Sequence, residues 1–214
     1  MKTRGNWFIT IMIVCMLLVA VSYLWFITTP YFDPFLMWSR DNKPLFVVVL
    51  LTIKVFGIVF PPIPGGTFTL GAVPVLGWWE AYLVDFGGGF IGAVIAYYLG
   101  QKYGYSLLRK VFDEKVVAKL QKTKIKVGRE LEAMFVFRII GSGLLTEAIY
   151  YAAGLLSIGK WNFVIGYILT HILLTAPAFY VADVVLSAQN LALNLVFIVI
   201  AIPVMWKIKG RYLE

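Results

Sequence analysis

Seven ionisable residues lie within apolar stretches of this 214-residue chain: Lys54, Glu80, Asp85, Arg138, Glu147, His171 and Asp183. A charge at bilayer depth costs about 2.5–3.5 kcal/mol on insertion scales, so such residues should face a cavity or pair with one another. Arg138 stands first among them. It precedes a break at Gly141 and Gly143, where unwound backbone and a planar guanidinium could together hold a phosphate. A structural pair with Glu147 is the alternative for this arginine. Glu147 could face Arg138 across the break or carry a proton. Lys54 lies in a corresponding upstream arm and reads as a second anion ligand, with snorkelling to an interface as its alternative. Gly65 and Gly66 follow Lys54 in a Pro/Gly-rich turn, and with Gly141 they offer backbone groups to the same anion. The candidate substrate-binding set is therefore Arg138, Lys54, Glu147, Gly141, Gly65 and Gly66. Glu80, beside Trp78 and Trp79, reads as interfacial. Asp183 reads as a wet residue near the outer end of its helix. His171 reads as a hydrogen-bonded packing residue, and Asp85 receives no role of its own.

The elements that must position these side chains are membrane helices. Hydrophobic residues make up 61% of the chain and charged residues 14%. A soluble domain carries about 25% charged residues, so this chain could not cover a water-facing surface. Its formal net charge is +8. The basic residues sit between apolar segments, where membrane topology and anionic headgroups account for them better than nucleic acid does. The single cysteine, Cys15, allows no intrachain disulfide, and no Cys/His cluster offers a metal site. No nucleophile–base pairing stands out, and Gly87-Gly88-Gly89 lies inside a helix rather than in a phosphate-cradling loop. The expectation is a non-enzyme without cofactors. Its expected partners are anionic membrane lipids and, as a possibility, copies of itself, with no nucleic acid.

Trp7 to Thr28 is long enough to span a bilayer. It is too long and too aromatic at its end for a cleaved signal peptide. Tyr31 to Pro44 reads as a polar link punctuated by Pro30, Pro34 and Pro44. Leu45 to Phe60 is apolar but short, and Pro61, Pro62, Pro64, Gly65 and Gly66 stop it. Thr67 to Trp79 falls well below a full span and reads as a buried or re-entrant element. Glu80 to Gly100 carries small residues four apart, among them Gly88/Gly92 and Gly89/Ala93, which suits close helix packing. Residues 101–130 hold nine Lys/Arg against three acids, with apolar residues at helical spacing, and read as a basic amphipathic surface helix. Leu131 to Leu156 is again broken, Trp161 to Leu186 reads as a span, and Leu191 to Trp206 as the last one.

These segments divide the single membrane domain into 1–44, 45–100, 101–130, 131–186 and 187–214. The positive-inside rule places both termini and the 101–130 loop in the cytoplasm, and the multi-pass pattern fits a prokaryotic plasma membrane. The two halves also resemble each other. Leu76-Gly77-Trp78-Trp79-Glu80 aligns with Ile158-Gly159-Lys160-Trp161-Asn162, and Val55-Phe56-Gly57-Ile58-Val59 with Val136-Phe137-Arg138-Ile139-Ile140. The fold class expected is an all-α helical bundle with two inverted half-repeats, each holding a re-entrant hairpin. Paired interruptions of this kind point to a transport site near mid-membrane.

Over roughly Leu45 to Asp183 the chain resembles the DedA family, also called the VTT or SNARE-associated Golgi protein superfamily, as a divergent member. The resemblance rests on Pro64-Gly65, Gly71-Ala72, Gly77-Trp78, the run from Gly92 to Gly104, Phe135-Val136-Phe137-Arg138, Ala152-Ala153-Gly154 and Phe163. It implies two facing re-entrant hairpins and movement of polyprenyl phosphates or phospholipids between leaflets, in some members with proton coupling. The chain departs from the family pattern at Gly66 and Ala93, where many bacterial members carry acids, and at Gly141 and Leu144. That places proton coupling by the usual acidic pair in doubt. The expected function is flippase- or scramblase-like transport of an anionic phospholipid or polyprenyl-phosphate headgroup. The alternatives are an ion-coupled small-solute transporter and a non-transporting membrane organiser.

Overall fold

The computed structural model describes residues 14–15, 17–19, 21–23, 25–60, 63, 65–111, 117–118, 125, 128–140 and 146–187. Gly141, the last apolar run at 191–206 and most of the basic 112–127 stretch lie outside these. Helix α1 spans Phe32–Asp41 and α2 spans Lys43–Val59, the two bent by 102° to each other. The expected polar link at Tyr31–Pro44 is thus mostly helical. Pro34 falls in the first turn of α1 and Pro44 at the start of α2, where a proline breaks no intrahelical bond. Burial holds the segment down: Phe35 meets Phe46 edge-on with ring centroids 5.9 Å apart, and Ser39 is fully buried.

After α2 the chain turns back on itself. Helix α3 (Gly65–Gly71) and the short α4 (Val73–Leu76) return alongside α2. Phe46 and Leu50 of α2 share one apolar core with Ala72, Val73 and Leu76. The turn is tight because it is built on glycine: a Cβ on Gly57 would come within 2.8 Å of the Gly65 Cα. Gly77, at φ 77°, then redirects the chain into α5 (Trp78–Val111). The residues expected to form a short broken element, Thr67 to Trp79, are therefore the return arm of a helical hairpin. Helix α5 was expected to end near Gly100. It bends instead at Gly104 and runs on to Val111.

A second pair of short helices follows, α6 (Glu130–Ile140) and α7 (Thr146–Leu155). Gly159 then opens α8 (Lys160–Thr170), a π-helical turn (His171–Thr175) and α9 (Ala176–Ser187). The π turn has a local cause. Pro177 has no N–H with which to bond the carbonyl four residues back, and the Ala176 N–H bonds five residues back, to His171. Among the described residues both halves thus share one order: two helical arms, a glycine (Gly77 or Gly159), then a long helix.

The halves meet where small residues let backbones touch. A Cβ on Gly154 of α7 would overlap the Tyr97 carbonyl of α5, and one on Gly100 would overlap the Tyr151 carbonyl. Ala93, Ala96 and Ala153 are fully buried at the same interface. Two buried phenols seal it: Tyr97 Oη donates to the Ile158 carbonyl (2.6 Å), and Tyr151 Oη donates to the Val59 carbonyl at the end of α2 (2.8 Å). Among the described residues, Trp78–Ser106 and Lys160–Val184 are long and apolar enough to cross a membrane, and the bent α1–α2 pair makes a third candidate. Their outward side chains are apolar, including Leu83, Ile91, Ile165 and Leu173. The protein is an all-α membrane protein.

Candidate functional site

Asp85 is the centre of the first cluster. It lies on α5 with 1% of its surface exposed. Three donors from three elements converge on its carboxylate: Lys54 Nζ from α2 at 2.5 Å, Thr69 Oγ1 from α3 at 2.5 Å, and His171 Nε2 from the π turn at 3.1 Å. An ionised carboxylate only accepts, so the imidazole presents Nε2–H to it. That assignment follows from the bonding pattern. The other ring nitrogen, Nδ1, has no partner among the described residues. Tyr82, Phe86 and Tyr167 surround the imidazole, with ring centroids 5.2–5.5 Å from its own.

Glycines make this convergence possible. A Cβ on Gly88 would stand 2.9 Å from the Lys54 Cβ, one on Gly89 3.5 Å from the Lys54 Cε, and one on Gly66 3.5 Å from Nζ. The lysine stem therefore runs across the bare glycine face of α5 to reach Asp85. These small residues serve close packing, as expected from the sequence. The same packing brings in a charge.

Arg138, in the last turn of α6, is the centre of the second cluster. Nη1 donates to Tyr150 Oη (2.8 Å), and Nη2 donates to Thr175 Oγ1 (3.3 Å). The guanidinium also lies over the Tyr150 ring, 5.8 Å from its centroid. Both hydrogen-bond partners are neutral. Glu147, three residues before Tyr150 on α7, lies within electrostatic reach of Arg138, Lys54 and Asp85, yet forms an ion pair with neither cation. The π turn joins the two clusters, since it supplies His171 to Asp85 and Thr175 to Arg138.

The structure brings Lys54, Gly65, Gly66, Arg138 and Glu147 into one neighbourhood between the hairpins, while Gly141 lies outside the described residues. Lys54 does not snorkel. Its side chain is 13% exposed and faces inward. Nor does Arg138 pair with Glu147. Glu80 pairs with Lys43 at 2.5 Å, with both side chains nearly half exposed, as an interfacial residue should. Asp85 and Thr69 were missed as site residues, and His171 is both a packing residue and a ligand of Asp85. Chemically, the arrangement holds a closed internal ion pair beside a fixed, partly exposed guanidinium fork. Such a fork suits an oxyanion. No group of His, Cys, Asp and Glu among the described residues is placed to hold a metal ion.

A family model described as the VTT domain matches residues 63–184. The match covers more than half of the chain and includes Asp85, Arg138, Glu147 and His171, with Lys54 just upstream of it. No curated protein and no solved structure matches the chain.

Proposed function

The chain belongs to the VTT-domain family, and from that premise we propose that it is a lipid transporter, a flippase or scramblase that moves an anionic headgroup across the bilayer. The observation that carries this reading is Arg138. Its guanidinium is fixed by two neutral hydrogen bonds at the end of a helical arm, with no carboxylate of the described residues paired to it. A cation in an apolar bundle with no counter-ion among the described residues favours an anionic guest.

The hairpins supply the path. At 1.5 Å per residue, α6 and α7 are each about 15–17 Å long, and α3 with α4 about 18 Å, all short of a hydrocarbon core of about 30 Å. We read both hairpins as re-entrant, dipping in from opposite sides in an inverted repeat. Broken backbone at that depth is tolerated where it lines a wet cavity. The phosphate would rest on Arg138 and the hairpin backbone while the acyl tails remain in lipid. Alternating access would open the site to each leaflet in turn.

Purified protein in vesicles containing a fluorescent phosphatidylglycerol tests the site. Arg138→Ala is expected to abolish protein-dependent translocation, and Arg138→Lys to retain part of it, because an ammonium keeps the charge but loses the fork. Full translocation by a folded Arg138→Ala protein would refute the assignment. Uptake of a soluble anion without lipid movement would instead favour the small-solute reading.

A further inference from the structure

We propose that the site selects monoanionic phosphodiester headgroups over dianionic phosphomonoesters, and that Asp85 sets this selection by holding Lys54 out of the anion site. The inference rests on the lipid-transport reading and names the class of headgroup carried.

The geometry is a count of available cations. Among the described residues two cations occupy the neighbourhood between the hairpins, Lys54 from α2 and Arg138 from α6. Lys54 is closed off by Asp85, whose carboxylate also takes Thr69 and His171. Arg138 has no carboxylate bound to it among the described residues, so one positive charge remains for a guest. The other titratable groups facing this space add no fixed cation. They are Glu147 and Tyr150 on α7, Tyr82 on α5, Tyr167 on α8, and His171, whose Nε2 is engaged with Asp85. A monoanion at Arg138 leaves the guest neutralised. A dianion leaves one negative charge uncompensated in a partly buried site whose neighbourhood also holds the Asp85 carboxylate. Uncompensated charge in such a medium is strongly disfavoured.

Asp85 controls the count because it is the only carboxylate paired with Lys54 among the described residues. Removing its charge while keeping its shape releases a second cation into the neighbourhood that Arg138 shares. Glu147 and His171 each lie within electrostatic reach of both Lys54 and Arg138, so the released ammonium belongs to the same field.

The test uses two lipids that differ by one methyl group: phosphatidylmethanol, a monoanionic diester, and phosphatidic acid, a monoester that is largely dianionic at pH 8. Full-length protein in vesicles of zwitterionic lipid is expected to move phosphatidylmethanol at least about tenfold faster than phosphatidic acid, which corresponds to about 1.4 kcal/mol. Asp85→Asn should narrow that ratio by raising phosphatidic acid transport. The double variant Lys54→Met/Asp85→Asn, which removes the released cation, should restore the diester preference. Equal wild-type rates for the two lipids overturn the proposal, even if Asp85→Asn fails to fold. So does an unchanged ratio in a folded Asp85→Asn protein. A third arm offers soluble dimethyl phosphate outside the vesicles. Its uptake with no movement of either lipid would refute lipid transport while leaving the charge selection to be read from soluble mono- and diesters.

Discussion

Replacing Asp85 with asparagine should destabilise this protein severely, and the size of the effect can be worked from the site. Asparagine keeps the volume of the side chain and can still accept from Thr69 Oγ1, but it carries no charge. Lys54, 13% exposed, would then hold an ammonium with no counter-ion in contact. Removing one partner of a buried ion pair costs about 3–5 kcal/mol, mostly from the orphaned charge rather than from the lost attraction. In a chain of this size 1 kcal/mol moves the melting temperature by roughly 2–4 °C, so Asp85→Asn should melt roughly 6–20 °C below wild type. The double variant Lys54→Met/Asp85→Asn leaves no orphan and should recover most of the loss, because an apolar replacement of both partners is often neutral. Thermal unfolding of purified protein in detergent, followed by tryptophan fluorescence, measures all three. An Asp85→Asn protein that melts with the wild type, or a double variant that melts lower than Asp85→Asn alone, refutes the reasoning.

Other substitutions test the interface between the halves. Tyr151→Phe removes a hydrogen bond to the Val59 carbonyl and should cost about 0.5–1.5 kcal/mol in chemical denaturation. Gly154→Val places a branched side chain against the Tyr97 carbonyl, where there is no room for even a Cβ. It should lose at least about 1–3 kcal/mol, and size-exclusion chromatography should show less folded monodisperse protein. Glu130 Oε2, at the start of α6, accepts from Asn162 Nδ2 (2.8 Å) and the Gly159 N–H (2.7 Å), which caps the α8 N-terminus. The hydrogen bond from Asn162, then that from Gly159, hold its carboxyl below the ordinary value. A folded-state value below the unfolded one gives stability that is present above the ordinary carboxyl range and lost as pH falls through the lowered value. Melting temperature should therefore fall on acidification below the ordinary value of 4.5, and Glu130→Gln should flatten that limb of the profile.

Much of this organisation is legible in the sequence. Composition sets the membrane class, and the Pro/Gly interruption after Phe60 marks where the first hairpin turns. The glycine spacing of α5 announces close packing. Arg138 stands out because a cation in an apolar run needs a reason. Asp85 was harder to see, because its partners come from α2, α3 and the π turn, and only the crossing of those helices brings them together. A signal was nevertheless available. Asp85, Gly88, Gly89 and Gly92 lie three and four residues apart and share one helix face. The face that a neighbouring helix approaches most closely is a face where a carboxylate must be paired. Lys54 carried the complementary ambiguity: a lysine stem can snorkel outward or turn inward, and the bare glycines of α5 decide for inward. The sequence predicts a polar link where helix α1 forms, because three prolines punctuate Tyr31–Pro44, whereas Pro34 and Pro44 stand at helix starts. The π turn follows from Pro177, but that it would aim two side chains at two different charges is a property of the assembled bundle.

The most direct test of lipid transport is the exchange of a labelled anionic phospholipid between leaflets of vesicles that contain the wild-type protein, compared with protein-free vesicles and with vesicles carrying Arg138→Ala at equal, folded protein density. Exchange is expected in the wild-type vesicles alone. Equal exchange by wild type and Arg138→Ala, or none above the protein-free rate by the wild type, would contradict it.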